Sequence, residues 1–256
     1  MRLSGESILV TGSTAGIGKH IALMCAREGA RVAVHGRNRE RGEAVVANII
    51  KAGGQGVFLP ADLSQERACA DLIETAAQKL GGLTGLVNNA AADAIGERML
   101  FADETSEHWN NVITGTLSSA AWLTRGALRH MLKAGRGSIV NVSSRQAERA
   151  SPGFGAYAAA KGGMNALTRA VAVDYGKKAI RCNALSVGYV VNERRDAGMT
   201  EQRRAEVEAM HLTRPGQPDD IAYAAVFLLS REAEFITGTL IPVDGGASIA
   251  RGKVLG

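Results

Sequence analysis

SILVTGSTAGIGKHIALMCAREGARVAVHG, residues 7–36, decides how this chain folds. It opens on a short apolar run at 7–12 and turns through glycines at 12, 16 and 18. An amphipathic stretch over 16–28 follows, and then a second apolar run at 31–36. Short runs rich in β-branched residues predict strands, whereas apolar residues recurring every three to four positions predict a helix. Two strands separated by a helical crossover pair in parallel. The alternation continues with strand-like runs at 56–62, 85–90, 138–144, 180–188 and 239–246. Longer amphipathic stretches lie between them at 38–52, 64–80, 106–133, 155–175 and 218–230. Near-continuous apolar strands are the kind that helices cover on both faces. The sequence therefore predicts an α/β fold: a doubly wound, Rossmann-type, mostly parallel seven-stranded sheet with helices on both faces. No linker rich in Pro, Gly or Ser divides the chain, so residues 1–256 are read as a single domain. The long charged connection at 189–216 is read as a substrate lid.

Composition narrows the function classes. Hydrophobic residues make up 46% and charged residues 21%, which are globular values that allow a large core. The cysteines, Cys25, Cys69 and Cys182, are far apart and odd in number, so a disulfide framework is not expected and a reducing cytoplasm fits. The N-terminal residues lack the build of a secretory leader, and no run approaches the ~20 apolar residues that span a bilayer. The expected location is cytoplasmic, with no membrane partner. A net charge of +5 raises the question of an anionic partner. Aromatics are only 4%, and two of the three arginine-rich stretches are interleaved with acids. A small phosphorylated ligand fits this better than a nucleic acid. The five histidines are scattered without ligand spacing, so no metal is expected.

The glycine turn suggests what that ligand is. Between the first strand and the first helix stand Gly12, Ser13, Thr14, Gly16, Ile17 and Gly18, spaced G-x-x-x-G-x-G. Glycines there let the backbone approach a pyrophosphate at the positive end of a helix. In sites selective for NAD, a carboxylate ends the second strand and holds the adenosine ribose. Here that strand ends His35-Gly36-Arg37. A guanidinium can fork onto a 2′-phosphate instead. Arg37 thus favours NADP(H), with NAD(H) as the alternative.

One further stretch, Ala156-Tyr157-Ala158-Ala159-Ala160-Lys161, places a phenol and an ammonium four residues apart, on one face if helical. A phenol has an ordinary pKa near 10, and making it a base at neutral pH takes a drop worth roughly 4 kcal/mol. An ammonium ~4 Å away supplies about 1 kcal/mol in water but ~4 at an effective dielectric near 20. Lys161 is expected to tune Tyr157 in that way, inside a partly dehydrated cleft.

With the glycine turn, Asn88-Asn89-Ala90-Ala91 and the Tyr157/Lys161 pair in order, the chain resembles the short-chain dehydrogenase/reductase (SDR) family. The resemblance runs from Thr11 to Gly246 and includes Asp62-Leu63, RPGQPDDIA at 214–222 and PVDGG at 242–246. It implies an oxidoreductase moving hydride between a nicotinamide cofactor and a carbonyl or secondary alcohol. Tyr157 then exchanges the proton, Lys161 also binds the nicotinamide ribose, and Ser144, thirteen residues before the tyrosine, hydrogen-bonds the substrate oxygen. Asp62 and Leu63 would hold adenine, and Asn89, Ala90, Val187, Gly188 and Val190 would complete the cofactor site. The resemblance also implies a homotetramer, or a dimer, built on the stretches 106–133 and 155–175.

Departures from the family gather near the nicotinamide. Thr116 stands at the usual asparagine of the proton relay, Val187-Gly188 replaces Pro-Gly, and Asn192 replaces a threonine. A non-catalytic NADP(H)-binding redox sensor or scaffold is therefore the alternative reading. The retained Ser144, Tyr157 and Lys161 favour the enzyme.

Overall fold

The computed structural model describes residues 1–92 and 97–250, so the parts of the 1–256 domain at 93–96 and 251–256 lie outside the described residues. The chain opens with β1 (Ser7–Val10), α1 (Gly16–Arg27), β2 (Arg31–His35), α2 (Arg39–Lys51), β3 (Gln55–Leu59), α3 (Glu66–Leu80) and β4 (Gly85–Asn88). It continues with α4 (Ser106–Ile113), α5 (Ser119–Ala134), β5 (Gly137–Ser144), α6 (Gly155–Tyr175) and β6 (Ile180–Val187). Then come α7 (Glu193–Asp196), α8 (Glu201–Ala209), α9 (Pro218–Leu229) and β7 (Leu240–Val243).

The strands form a 7-stranded sheet in the order β3-β2-β1-β4-β5-β6-β7, and every neighbouring pair is parallel. Successive strand residues point to opposite faces. Ile8 and Val10 accordingly join one core with Ile21 and Cys25 of α1, Val45 of α2 and Ile221 and Ala225 of α9. Leu9 joins the opposite core with Ile73 of α3, Leu123 and Met131 of α5 and Val171 of α6. Each such aliphatic side chain contributes about 1.5–3 kcal/mol when fully buried, so both faces drive the fold. The order runs outward in opposite directions from β1 and β4, and this reversal leaves a crevice beyond their C-terminal ends.

Local chemistry sets the element ends. Asn38 caps α2 by accepting the Arg41 N–H at 2.8 Å, and Thr105 caps α4 by accepting that of His108 at 3.1 Å. Asp220 closes the first turn of α9, accepting the Gln217 N–H at 2.7 Å and both terminal nitrogens of Arg214 at 2.7 and 2.8 Å. The stretch 106–133, expected as one helix, is interrupted by a π-turn at Thr114–Ser118. Its sequence, TGTLS, brings a glycine and three β-hydroxy residues of low helix propensity into mid-helix. Within it, Thr116 turns its hydroxyl oxygen to the Ala92 N–H, 3.2 Å away. Among the described residues no helix is long and apolar enough to cross a membrane.

Candidate active site

The β1–α1 turn lies at the crevice, and its shape is held from three sides. Asn89, just past β4, donates through Nδ2 to the carbonyls of Thr11 and Gly12 at 2.9 and 3.1 Å. Thr11 Oγ1 accepts the N–H groups of Asn89 and Ala90, both at 3.0 Å. His35, at the end of β2, accepts the Gly12 N–H on Nδ1 at 3.1 Å and donates from Nε2 to the Ala61 carbonyl at 3.2 Å. That pattern requires a neutral imidazole, and burial lowers its pKa to about 4. No spacing in the sequence marks Thr11 or His35 for this part. Their roles rest on contacts with segments far along the chain.

Two glycines are fixed by space. Gly12 has φ +62°, a left-handed conformation that costs L side chains energy. A Cβ on Gly18 would lie 2.4 Å from both the Gly12 carbonyl oxygen and Asn89 Nδ2. The turn therefore leaves a cradle of backbone at the N-terminus of α1. Ser13 behaves differently from expectation. It is fully buried; its N–H donates to the His35 carbonyl, and its hydroxyl donates to Val10 O at 2.6 Å and accepts the His35 N–H. Its polar groups are spent on the turn, so its contribution is to the shape of the cradle.

A cleft of about 990 Å³ extends from this cradle past β2, lined by Gly12, Thr14, Gly36, Arg37, Asp62, Leu63, Asn89 and Ala90 among others. A Cβ on Gly36 would lie 2.5 Å from Thr14 Cγ2, so the turn crowds the place where a carboxylate would otherwise stand. Asp62 is held below the usual carboxylate range, chiefly by the Ser64 backbone N–H, 3.0 Å from Oδ1.

A second hollow of about 370 Å³ opens on the other side of the cradle. Gly16, Ile17 and Gly18 line it together with Ser144, Tyr157, Lys161, Val187, Gly188 and Val190. Ser144 is the last residue of β5, and Tyr157 and Lys161 sit one turn apart near the start of α6. Ser143 also borders the hollow, but its hydroxyl donates to Asn165 Oδ1 at 2.6 Å. Lys161 is 2% exposed; its ammonium donates to the Val142 carbonyl at 2.6 Å and lies 5.6 Å from the centre of the Tyr157 ring. Burial lowers its pKa to about 8. Thr116 is fully buried and is not among the residues lining this hollow; its oxygen accepts the Ala92 N–H.

The expected tuning of Tyr157 by Lys161 is corrected here. Burial pushes the phenol pKa up, and what opposes it is a hydrogen bond with Ser144. The ammonium is aimed at Val142 O and is itself desolvated. The phenol is therefore neutral, the form able to donate a proton.

Residues of the connection after β6 line this hollow. Val191 N–H reaches Gly216 O at 2.8 Å, and Gly216 N–H reaches Tyr189 O at 2.9 Å, closing 189–216 into a loop. Asn192 and Arg195 line the hollow from it. Arg195 stacks 4.4 Å above the Tyr189 ring and binds Asp196 at 2.7 Å. Although burial opposes it, the Arg195 contact and the Asn192 N–H hold the Asp196 pKa at about 2.

A backbone cradle at a helix N-terminus, at the point where strand order reverses and beside a Ser–Tyr–Lys group, defines a nucleotide-dependent oxidoreductase site. Known proteins agree. The family model described as enoyl-(acyl carrier protein) reductase matches residues 12–248. A 3-oxoacyl-(acyl-carrier-protein) reductase of Chlamydia pneumoniae is 34% identical over 245 residues, covering 95% of this chain and 97% of that protein. A short-chain type dehydrogenase/reductase from Mycobacterium ulcerans superposes with a TM-score of 0.92 at 28% identity, covering 99% of this chain and 94% of the other. A 7α-hydroxysteroid dehydrogenase, in complex with NADH and 7-oxo glycochenodeoxycholic acid, superposes with a TM-score of 0.90 at 32% identity, covering 96% and 95%.

The chain belongs to the short-chain dehydrogenase/reductase family. It is an NAD(P)(H)-dependent oxidoreductase of the alcohol/carbonyl class.

Proposed function

We propose that the protein is an NADP(H)-preferring ketoreductase or alcohol dehydrogenase whose reacting groups are Ser144, Tyr157 and Lys161. The observation that carries this reading is their convergence in one hollow with the α1 cradle. The residues fit a dinucleotide: the cradle has no room for a side chain at Gly18, and the cleft beyond it runs to Arg37. Gly12, Thr14, Gly16, Ile17 and Gly18 would hold the pyrophosphate, Asp62 and Leu63 the adenine, and Asn89, Ala90, Val187, Gly188 and Val190 the nicotinamide half. Arg37 stands where a 2′-phosphate would be recognised, and this supports NADP(H) over NAD(H). When bound, the cofactor supplies or accepts hydride at the substrate carbon.

The chain's own groups manage the oxygen. Ser144 donates to it and Tyr157, neutral at rest, gives its proton to it as negative charge develops. Lys161, its ammonium 5.6 Å from the centre of the Tyr157 ring, would hold the nicotinamide ribose. Thr116, in place of the relay asparagine, retains a hydroxyl. The segment 189–216 acts as a lid that excludes water once substrate is seated.

The stretch after Ser144 carries the polar residues Gln146, Glu148 and Arg149, which on their own would suit a small or polar substrate. Gln146 is engaged with Ser151, and Arg149 donates to the Ala247 carbonyl at 3.5 Å, so these side chains lend that reading little support. The relatives' names span acyl thioesters and steroids, and the substrate class is left at carbonyl or secondary alcohol. A homotetramer, or a dimer, in the cytoplasm fits the exposed stripe Ala166, Ala170 and Val173 on α6, whose small side chains permit close approach of a second copy. NADPH oxidation against a panel of ketones, β-keto esters and keto acids tests the reading. Turnover with NADPH well above NADH is expected, and equal or better rates with NADH would overturn the cofactor preference.

A further inference from the structure

We propose that Gln146 is a positioning residue for the Ser144 hydroxyl, holding it as a donor toward Tyr157 and the reacting oxygen through a clamp on Ser151. The inference rests on the reading of Ser144 and Tyr157 given above. Ser144 ends β5 in extended conformation, φ −152° and ψ 150°, and its oxygen accepts the Gln146 N–H at 3.2 Å. That N–H belongs to a single 3-10 turn, Arg145–Ala147, and such short turns have weak internal geometry. The Gln146 side chain supplies what the turn lacks. Its Nε2 donates to Ser151 Oγ at 3.0 Å, and its Oε1 accepts the Ser151 N–H at 2.7 Å. The amide is thereby pinned at both ends, and the 146–151 loop closes into a ring directly beside β5.

The consequence for Ser144 follows from its inventory of one hydrogen and two lone pairs. With a lone pair taken by the Gln146 N–H, the hydroxyl keeps one hydrogen and one lone pair for the hollow that it shares with Tyr157. An N–H donated onto the oxygen also polarises the O–H and strengthens it as a donor. Neighbouring Ser143 is excluded from this part because its hydroxyl is committed to Asn165. The line of influence therefore runs from Ser151 through Gln146 and Ser144 to Tyr157, and only the last two touch the reacting atoms.

The test uses the full chain, labelled with ¹³Cζ-tyrosine. The Tyr157 resonance, assigned by its loss in Tyr157→Phe, is followed from about pH 7 to about pH 11, a range that brackets the ordinary phenol midpoint. Gln146→Met keeps the side-chain volume but removes both links to Ser151. It is expected to raise the Tyr157 midpoint by about 0.5–1 unit, or to shift the neutral-phenol resonance if the midpoint lies higher. Ser144→Ala should have the same effect, and the double variant should go no further. With NADPH and ethyl acetoacetate as probe, Gln146→Met should lower kcat about tenfold while the NADPH Kd from calorimetry stays unchanged. If Gln146→Met does not fold, Ser151→Ala carries the test with a smaller shift of the same sign. An unmoved Tyr157 signal in Gln146→Met, or an effect that adds to that of Ser144→Ala, overturns the inference. An unmoved signal in Ser144→Ala overturns instead the pairing of Ser144 with Tyr157 on which it rests.

Discussion

Replacing Lys161 by methionine should make the cofactor-free protein more stable while abolishing its function. The ammonium is buried against one strong acceptor, Val142 O at 2.6 Å, with Met164 Sδ at 4.0 Å. Burial brings its pKa from 10.5 to about 8. A depression of that size corresponds to about 3 kcal/mol of stability forgone wherever both folded and unfolded chains are protonated. Between the two pKa values the unfolded chain binds more protons than the folded one, so stability rises with pH across that window. The penalty is then about 3 kcal/mol at pH 7 and about 1 kcal/mol at pH 10. Lys161→Met fills most of the space of the stem but removes the donor to Val142 O, which costs about 1 kcal/mol. The variant should therefore exceed the parent by about 2 kcal/mol at pH 7 and match it at pH 10. Urea denaturation followed by circular dichroism, at one protein concentration and without cofactor, reads both values. A variant less stable than the parent at pH 7, or a difference that does not change with pH, would refute the reasoning.

Arg37→Asp should weaken NADP(H) by about ten- to a hundredfold and leave NAD(H) equal or tighter, read by calorimetry. Unchanged NADP(H) affinity would remove Arg37 from the cofactor site. Gly18→Ala drives a methyl to 2.4 Å from the Gly12 carbonyl oxygen and Asn89 Nδ2. It should cost about 1–3 kcal/mol in denaturation and at least about tenfold in cofactor affinity. Stability within about 0.5 kcal/mol of the parent would show that the turn yields more readily than its packing implies.

Much of the fold was legible because apolar periodicity reports burial on both sides of each strand. The limits of strands and helices were less so, for reasons visible in particular residues. The run 56–62 ends as a strand at Leu59 because Pro60, which has no N–H, follows it. The run 239–246 stops at Val243, where Asp244 turns back to accept the Gly246 and Ser248 N–H groups. The π-turn at Thr114–Ser118 is only partly local: TGTLS weakens the helix, but Thr116 also accepts the N–H of Ala92, more than twenty positions away. The short helices α7 and α8 within 189–216 carry no apolar stripe to announce them; α8 buries only Val207 and starts where Thr200 accepts the Arg203 N–H. In the site, spacing was enough to nominate Ser144, Tyr157 and Lys161. It could not anticipate that His35 is a neutral clamp on Gly12, that Ser13 is consumed by the turn, or that Lys161 is aimed at Val142. Each of those depends on which strands become neighbours.

The account stands most directly on the proton carried by Tyr157. Tyr157→Phe keeps the ring in its apolar contact with Val112, Ala156 and Ala160 and removes only the hydroxyl. Steady-state turnover with NADPH, on a carbonyl substrate the parent reduces, is the measurement, with NADPH affinity determined alongside. The account predicts unchanged cofactor binding and a fall in kcat of about 10²–10⁴-fold. Full turnover by Tyr157→Phe would contradict it.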